Sequence, residues 1–141
     1  MDIVALESMI KIHEGFSSRI YTDETGHSTV GYGHNLDASD ISYSIPLSME
    51  DAESLLEDDI KEVLSWITTY PWWNQLSDNR QMSLVDMAFN MGRGDFSDFH
   101  KMINALADGD YNEAANQMRN STWYNQVTGR AKQDILLMLK G

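Results

Sequence analysis

The chain has no cysteine in its 141 residues. Disulfides and thiolate metal sites are therefore excluded, and the fold cannot depend on an oxidising compartment. Cations are scarce: Lys and Arg total 10 against 22 Asp and Glu, a formal net charge of -12. They are scattered and form no basic stripe that could neutralise phosphates, which excludes the simplest nucleic-acid reading. No stretch approaches the ~20 apolar residues of a membrane span. The first residues carry Asp2, Glu7 and Lys11 around a short apolar set, with neither a basic leader nor an apolar core of signal-peptide length. The expectation is a protein made in a cytoplasm, without membrane insertion, whose export needs outside help. Low-complexity tracts and internal repeats are absent as well.

The 42% of hydrophobic residues is ordinary for a globular protein, and a chain of this length buries about two thirds of its unfolded surface in one domain. Residues 2–13 place Ile3, Leu6 and Ile10 at a helical period, with Val4 and Met9 nearby. From Ser17 to Leu36 the pattern changes to short strands around Asp23-Glu24-Thr25-Gly26, the pattern of a hairpin or small sheet. Asn35 to Leu47 is polar and irregular. Ser48-x-x-Asp51 then has the form of a capping box with Asp in place of Glu. It opens the longest helix, with apolar residues at 52, 55, 56, 60, 63, 64 and 67. Asp59 falls inside that stripe and needs a partner there, because an unpaired buried charge is costly. His34 closes the glycine-rich hairpin and is the partner expected for it.

The remainder is helical. One helix is expected over about 79–91, with Met82, Val85, Ala88 and Phe89 facing inward. Another begins at Asp95 or Ser97 and carries Phe99, Met102, Ile103 and Leu106. Asp110-x-x-Glu113 caps a third, and 122–126 forms a short turn of helix. A last helix from Thr128 or Gly129 packs Ile135, Leu136 and Leu139. The fold class expected is α+β, mostly helical and two-lobed. A small mixed lobe (about 14–47) joins through a bridging helix (about 48–68) to a helical lobe (about 69–141), on which helix 2–13 packs. The cleft between lobes is the expected site.

One stretch carries the chemistry. His13-Glu14-Gly15 is followed after eight residues by Asp23, and after five more by Thr29 in Thr29-Val30-Gly31-Tyr32-Gly33-His34. Glu14 stands at a helix end and Asp23 in a turn or strand. Two carboxylates in different surroundings can hold different protonation states at one pH, which glycosidic cleavage requires.

These segments resemble the phage-type lysozymes, the T-even phage endolysin family of muramidases (glycoside hydrolase family 24). Ile20-Tyr21-x-Asp23, Phe89-Asn90-Met91-Gly92, Trp123-Tyr124-Asn125-Gln126 and Arg130-Ala131-Lys132 continue the likeness in family order over nearly the whole chain. The resemblance implies Glu14 as general acid, Asp23 as the carboxylate that positions or activates water, and Thr29 as a hydroxyl that helps hold that water. It implies inversion at the anomeric carbon. It also implies that Arg130 pairs with the catalytic Glu and that Asn90 contacts saccharide. Tyr32 and Phe99 are grouped with Asn90 as substrate contacts, while His34 and Asp59 join Arg130 as supporting residues. No cofactor or metal is expected.

The activity implied is hydrolysis of the β-1,4 bond between N-acetylmuramic acid and N-acetylglucosamine in peptidoglycan glycan strands. The expected setting is bacterial lysis by a phage, with a monomer held in the host cytoplasm until a holin-type partner releases it to the periplasm and wall. A lytic transglycosylase and a non-hydrolytic wall-binding module on the same fold are the alternatives. Retention of Asp23 and Thr29 beside Glu14 disfavours both.

Overall fold

The computed structural model describes residues 1–37 and 43–141. Part of the irregular stretch expected over 35–47 therefore lies outside the described residues. The chain divides into two compact units, Ile3–Lys61 and Met1–Asp2 with Glu62–Gly141. Eight helices and a small three-stranded antiparallel sheet make up the described fold, in keeping with an α+β lysozyme-like class.

The first unit starts with α1 (Ile3–Glu14), whose Leu6 and Ile10 are fully buried. Gly15 ends it at φ +69°, a left-handed conformation that suits glycine, and its N–H bonds the Lys11 carbonyl at 2.9 Å. The helix groups in this unit with the sheet, β1 (Ser17–Thr22), β2 (Ser28–Gly31) and β3 (His34–Asn35), in the order β1-β2-β3. Tyr21 pairs with Thr29 and Val30 with His34. Val30 is fully buried, and the Leu47 N–H bonds the Ser18 carbonyl at 2.8 Å, closing the loop back onto the sheet.

Ser48 caps α2 (Met49–Ile67) as its sequence implies, its Oγ accepting from the Asp51 N–H at 3.1 Å. Ala52, Leu55, Leu56, Ile60 and Val63 form its buried stripe. Asp59 meets His34 there: Nδ1 lies 3.1 and 2.8 Å from the two carboxylate oxygens.

In the second unit a 3-10 turn (Trp73–Gln75) follows α2, and Trp66, Trp72 and Trp73 are all buried. Next comes α3 (Asp78–Met91), capped by the Ser77 side chain. Its buried residues run consecutively from Ser83 to Ala88, whereas Met82 and Phe89 are only half-buried. A helix that packs on more than one neighbour, as α3 does on α4 and α8, has no single inward stripe, so the expected face was too narrow.

The helix expected from Asp95 or Ser97 is two helices, α4 (Arg93–Ser97) and α5 (His100–Ala107). Phe96 is the fully buried ring, and Phe99 stands at the junction. Asp110 caps α6 (Tyr111–Arg119) by accepting from the Glu113 N–H, and Ser121 caps α7 (Thr122–Gln126).

The final helix, α8 (Thr128–Lys140), packs on α3 and α6. Its inward residues are Arg130, Ala131, Asp134, Ile135 and Met138. Ile135 packs as expected, but Leu136 is 64% and Leu139 41% exposed. Two ionisable residues, Arg130 and Asp134, take inward positions that a hydrophobic pattern assigns to leucines; Arg130 is sustained there by its ion pair with Asp86.

Candidate active site

Glu14 closes α1 and is half-buried. Its side chain lies across Gly33. A Cβ at Gly33 would stand 2.5 Å from Glu14 Cδ and Oε1, and the glycine backbone sits at φ +74°. Both the space and the conformation demand glycine here.

Asp23 follows β1 at the start of the tight turn to β2. Its Oδ1 accepts three hydrogen bonds, from the Thr25 N–H, the Thr25 hydroxyl and the His27 N–H, each 2.9 Å. The Asp23 N–H donates to the His27 carbonyl at 2.9 Å, and the Gly26 N–H donates to the Asp23 carbonyl at 3.0 Å. Thr29 is 1% exposed and donates its hydroxyl to that same His27 carbonyl at 2.9 Å. The peptide groups of His27 therefore tie Asp23 to Thr29. On its other side His27 Nδ1 lies 3.2 Å from Asp37.

The Tyr21 phenol, on β1, sits in the field of Glu14, Glu24 and Asp23. Burial first, and those carboxylates second, hold its pKa above the usual tyrosine value. Glu14 and Asp23 thus act on one shared neighbour. Tyr32 is buried, 5.5 Å from the Phe16 ring, with Lys11 Nζ 5.4 Å from its own centroid. The exposed ring at this place is Phe16. Lys11 is held in turn by Glu53 at 2.7 Å.

In the unit of α3 to α8, Asn90 commits its side-chain oxygen to Trp123 Nε1 at 2.7 Å. Phe99 lines an open pocket of about 360 Å³ with His100, Lys101, Met102, Gln117 and Ser121. Arg130 is buried on α8 and grips Asp86 of α3 with two bonds, Nε at 3.0 Å and Nη2 at 2.8 Å. Asp134 is fully buried next to them. Among the described residues no donor reaches either of its carboxyl oxygens, and the Asp86 carboxylate lies within its electrostatic reach. Burial, reinforced by Asp86, holds the Asp134 pKa well above the usual carboxylate range.

Glu14, Asp23, Thr29, Tyr32, His34 and Asp59 all fall in one unit, and Asn90, Phe99 and Arg130 in the other. Thr25, Gly33, Asp86 and Asp134 were missed by sequence reasoning. Gly33 alone carried a signal, lying in the glycine-punctuated run. Among the described residues no group of three or more His, Asp or Glu could hold a metal ion, and no helix is long and apolar enough to cross a membrane.

The phage lysozyme family matches residues 11–137. The chain is 29% identical over 163 residues to "Probable T4-type lysozyme 2" of Dictyostelium discoideum, covering 99% of this chain and 96% of that protein. It is 29% identical over 161 residues to the pre-baseplate central spike protein Gp5 of Enterobacteria phage T4, covering 98% of this chain and 28% of the spike protein. An endolysin of Bacillus phage B103 is 28% identical over 141 residues, covering 95% of this chain and 52% of the endolysin. With a match across most of its length, on a fold of the same class, the chain belongs to the phage lysozyme family of peptidoglycan hydrolases.

Proposed function

We propose that the protein is an N-acetylmuramidase that cuts the β-1,4 bond between N-acetylmuramic acid and N-acetylglucosamine by an inverting acid–base mechanism. In this reading Glu14 protonates the departing glycosidic oxygen. Asp23 takes a proton from a water as that water attacks the anomeric carbon, so no glycosyl–enzyme bond forms. Thr29 has given its hydroxyl hydrogen to the His27 carbonyl, which leaves its oxygen lone pairs to accept from the water. The observation that carries the reading is the joining of Asp23 and Thr29 through the His27 peptide groups, beside a tyrosine that feels both Asp23 and Glu14. A wall-binding module needs no such tethered carboxylate, and a lytic transglycosylase needs only the acid.

Asn90, Phe99 and Phe16 are proposed saccharide contacts, with Arg130 as a support for Glu14. Relatives named endolysins support peptidoglycan as substrate and a lytic role. The protein would act as a monomer and reach the wall through a membrane lesion made by a holin-type partner.

Digestion of purified peptidoglycan followed by mass spectrometry of the products tests the reading. Reducing N-acetylmuramic acid ends, first released with inverted configuration, are expected. Anhydro ends would assign a transglycosylase, and absence of cleavage a binding module.

A further inference from the structure

We propose that Thr25 is a positioning residue for Asp23: by locking Oδ1 it designates Oδ2 as the oxygen that takes the proton from the attacking water. The inference rests on the acid–base reading above and deepens it.

A carboxylate oxygen offers about two lone-pair sites. Three donors converge on Asp23 Oδ1, each at 2.9 Å. That oxygen is saturated. Among the described residues no donor reaches Oδ2. The two oxygens of one side chain are thus chemically different before any substrate arrives.

The three donors are not equivalent. Two are main-chain N–H groups, from Thr25 and His27, and they come with the turn whatever its side chains are. The third is the Thr25 hydroxyl. Thr25 therefore holds Oδ1 twice, from its backbone and from its side chain, and this fixes the plane of the carboxylate as well as its place. The β-branched side chain restricts its own χ1, so the hydroxyl is aimed with little entropy to lose. Thr25 is half-buried, which limits exchange of this bond with solvent.

The step this serves is balanced within the site. As the water oxygen bonds to the anomeric carbon, one water O–H bond breaks and its proton passes to Oδ2. The glycosidic oxygen leaves with the bonding pair and takes the Glu14 proton. A base that swings about its Cβ–Cγ bond presents Oδ2 to the water for only part of the time. Misplacement by about 1 Å can cost 10²-fold in rate. Loss of one of three restraints costs less.

The test is steady-state kinetics on soluble glycan fragments of peptidoglycan with Thr25→Val, Thr25→Ala, Thr25→Ser and Asp23→Asn, at a temperature well below unfolding for each variant. Val and Ala keep the main-chain donor and delete the hydroxyl. Their kcat is expected to fall roughly tenfold with KM little changed, and Thr25→Ser is expected to restore most of it. Two hydroxyl-free variants keep the test alive if one of them folds poorly. Wild-type kcat in Val and Ala, with Asp23→Asn inactive, would overturn the Thr25 assignment and leave the reading of Asp23 in place. Loss in Val and Ala that Ser does not rescue would reduce Thr25 to a turn-shape residue and overturn it too. Full turnover in Asp23→Asn would remove the acid–base reading itself, and this inference with it.

Discussion

Arg130 and Asp86 form a two-bond ion pair, at 3.0 and 2.8 Å, with both side chains sealed from solvent. The Asp134 carboxyl beside them is a third ionisable group: burial first, and Asp86 second, push it toward its neutral form against the opposing pull of Arg130. Of the elements packed on α8, α3 brings Asp86 to this place. The buried residues of α6 and α7 are Ala114, Ala115, Met118 and Trp123, none of them titratable.

A pH dependence of stability follows. Unfolded, Asp134 ionises near 3.9; folded, it keeps its proton well above that. Between those values the folded state binds more protons than the unfolded one. Stability therefore falls as pH rises, by about 1.4 kcal/mol per unit, until the folded value is passed. Asp134→Asn removes the titration while keeping the shape and a donor toward Asp86. Its Tm advantage over wild type should be small near pH 4 and grow upward from there. Parallel Tm profiles for the two proteins would show that Asp134 is ionised in the fold.

Glu14→Gln keeps the side-chain shape against Gly33 and deletes the transferable proton. Turnover on peptidoglycan should fall by about 10²–10⁴, with an unchanged circular dichroism spectrum. A folded Glu14→Gln variant with near-normal turnover would remove Glu14 from the role of acid.

Gly33→Ala is expected to damage activity more than its size suggests. The new methyl would press on the Glu14 carboxyl, and the backbone would have to hold φ +74° with a Cβ, at a cost of about 1–2 kcal/mol. Turnover should drop sharply, while thermal melting reports only a modest loss. Retained turnover would mean that Glu14 moves aside freely and that its resting position is not the working one.

His34→Asn leaves Asp59 without the imidazole that meets both of its oxygens. The Asp59 side chain is 28% exposed, so water partly replaces the lost partner. Destabilisation of about 1 kcal/mol is expected from urea titration, with the activity per folded molecule preserved. Unchanged stability would make the pair incidental.

A protein at -12 should meet an anionic wall slowly in dilute buffer. Near 0.15 M salt the Debye length is about 8 Å, and the long-range repulsion is largely screened. Initial rates on whole peptidoglycan should therefore rise with sodium chloride up to that range. A monotonic fall from the lowest salt would point to local exposed cations, such as Arg119 and Lys132, as the groups that govern approach.

Local signals carried much of the architecture. Ser48 and Asp110 could be read as caps because a cap depends on residues three apart in the chain, and both caps are present. The pairing of Asp59 with His34 was legible because a carboxylate on an apolar stripe is anomalous. The inward face of α8 was not legible: Arg130 and Asp134 look like solvent residues until Asp86, 44 residues before Arg130, is brought beside them. The consecutive burial of Ser83 to Ala88 likewise depends on packing against more than one helix, α4 and α8 among them, which no periodicity within one helix records. At the proposed site, Glu14, Asp23 and Thr29 are candidates that motif spacing alone singles out. The grip of Thr25 on Asp23 depends on how the turn closes, and a Thr in a polar turn carries no mark of it.

The link between Asp23 and Thr29 runs through main-chain atoms of residue 27. No substitution of His27 other than proline deletes that N–H or that carbonyl, so the turn can drift in sequence at this position, proline apart, without uncoupling the two residues. Its length has no such freedom. One residue inserted between Gly26 and His27 would displace the donor to Asp23 and the acceptor from Thr29 together. The hairpin is thus permissive toward point changes at residue 27 and intolerant of insertions and deletions in the turn.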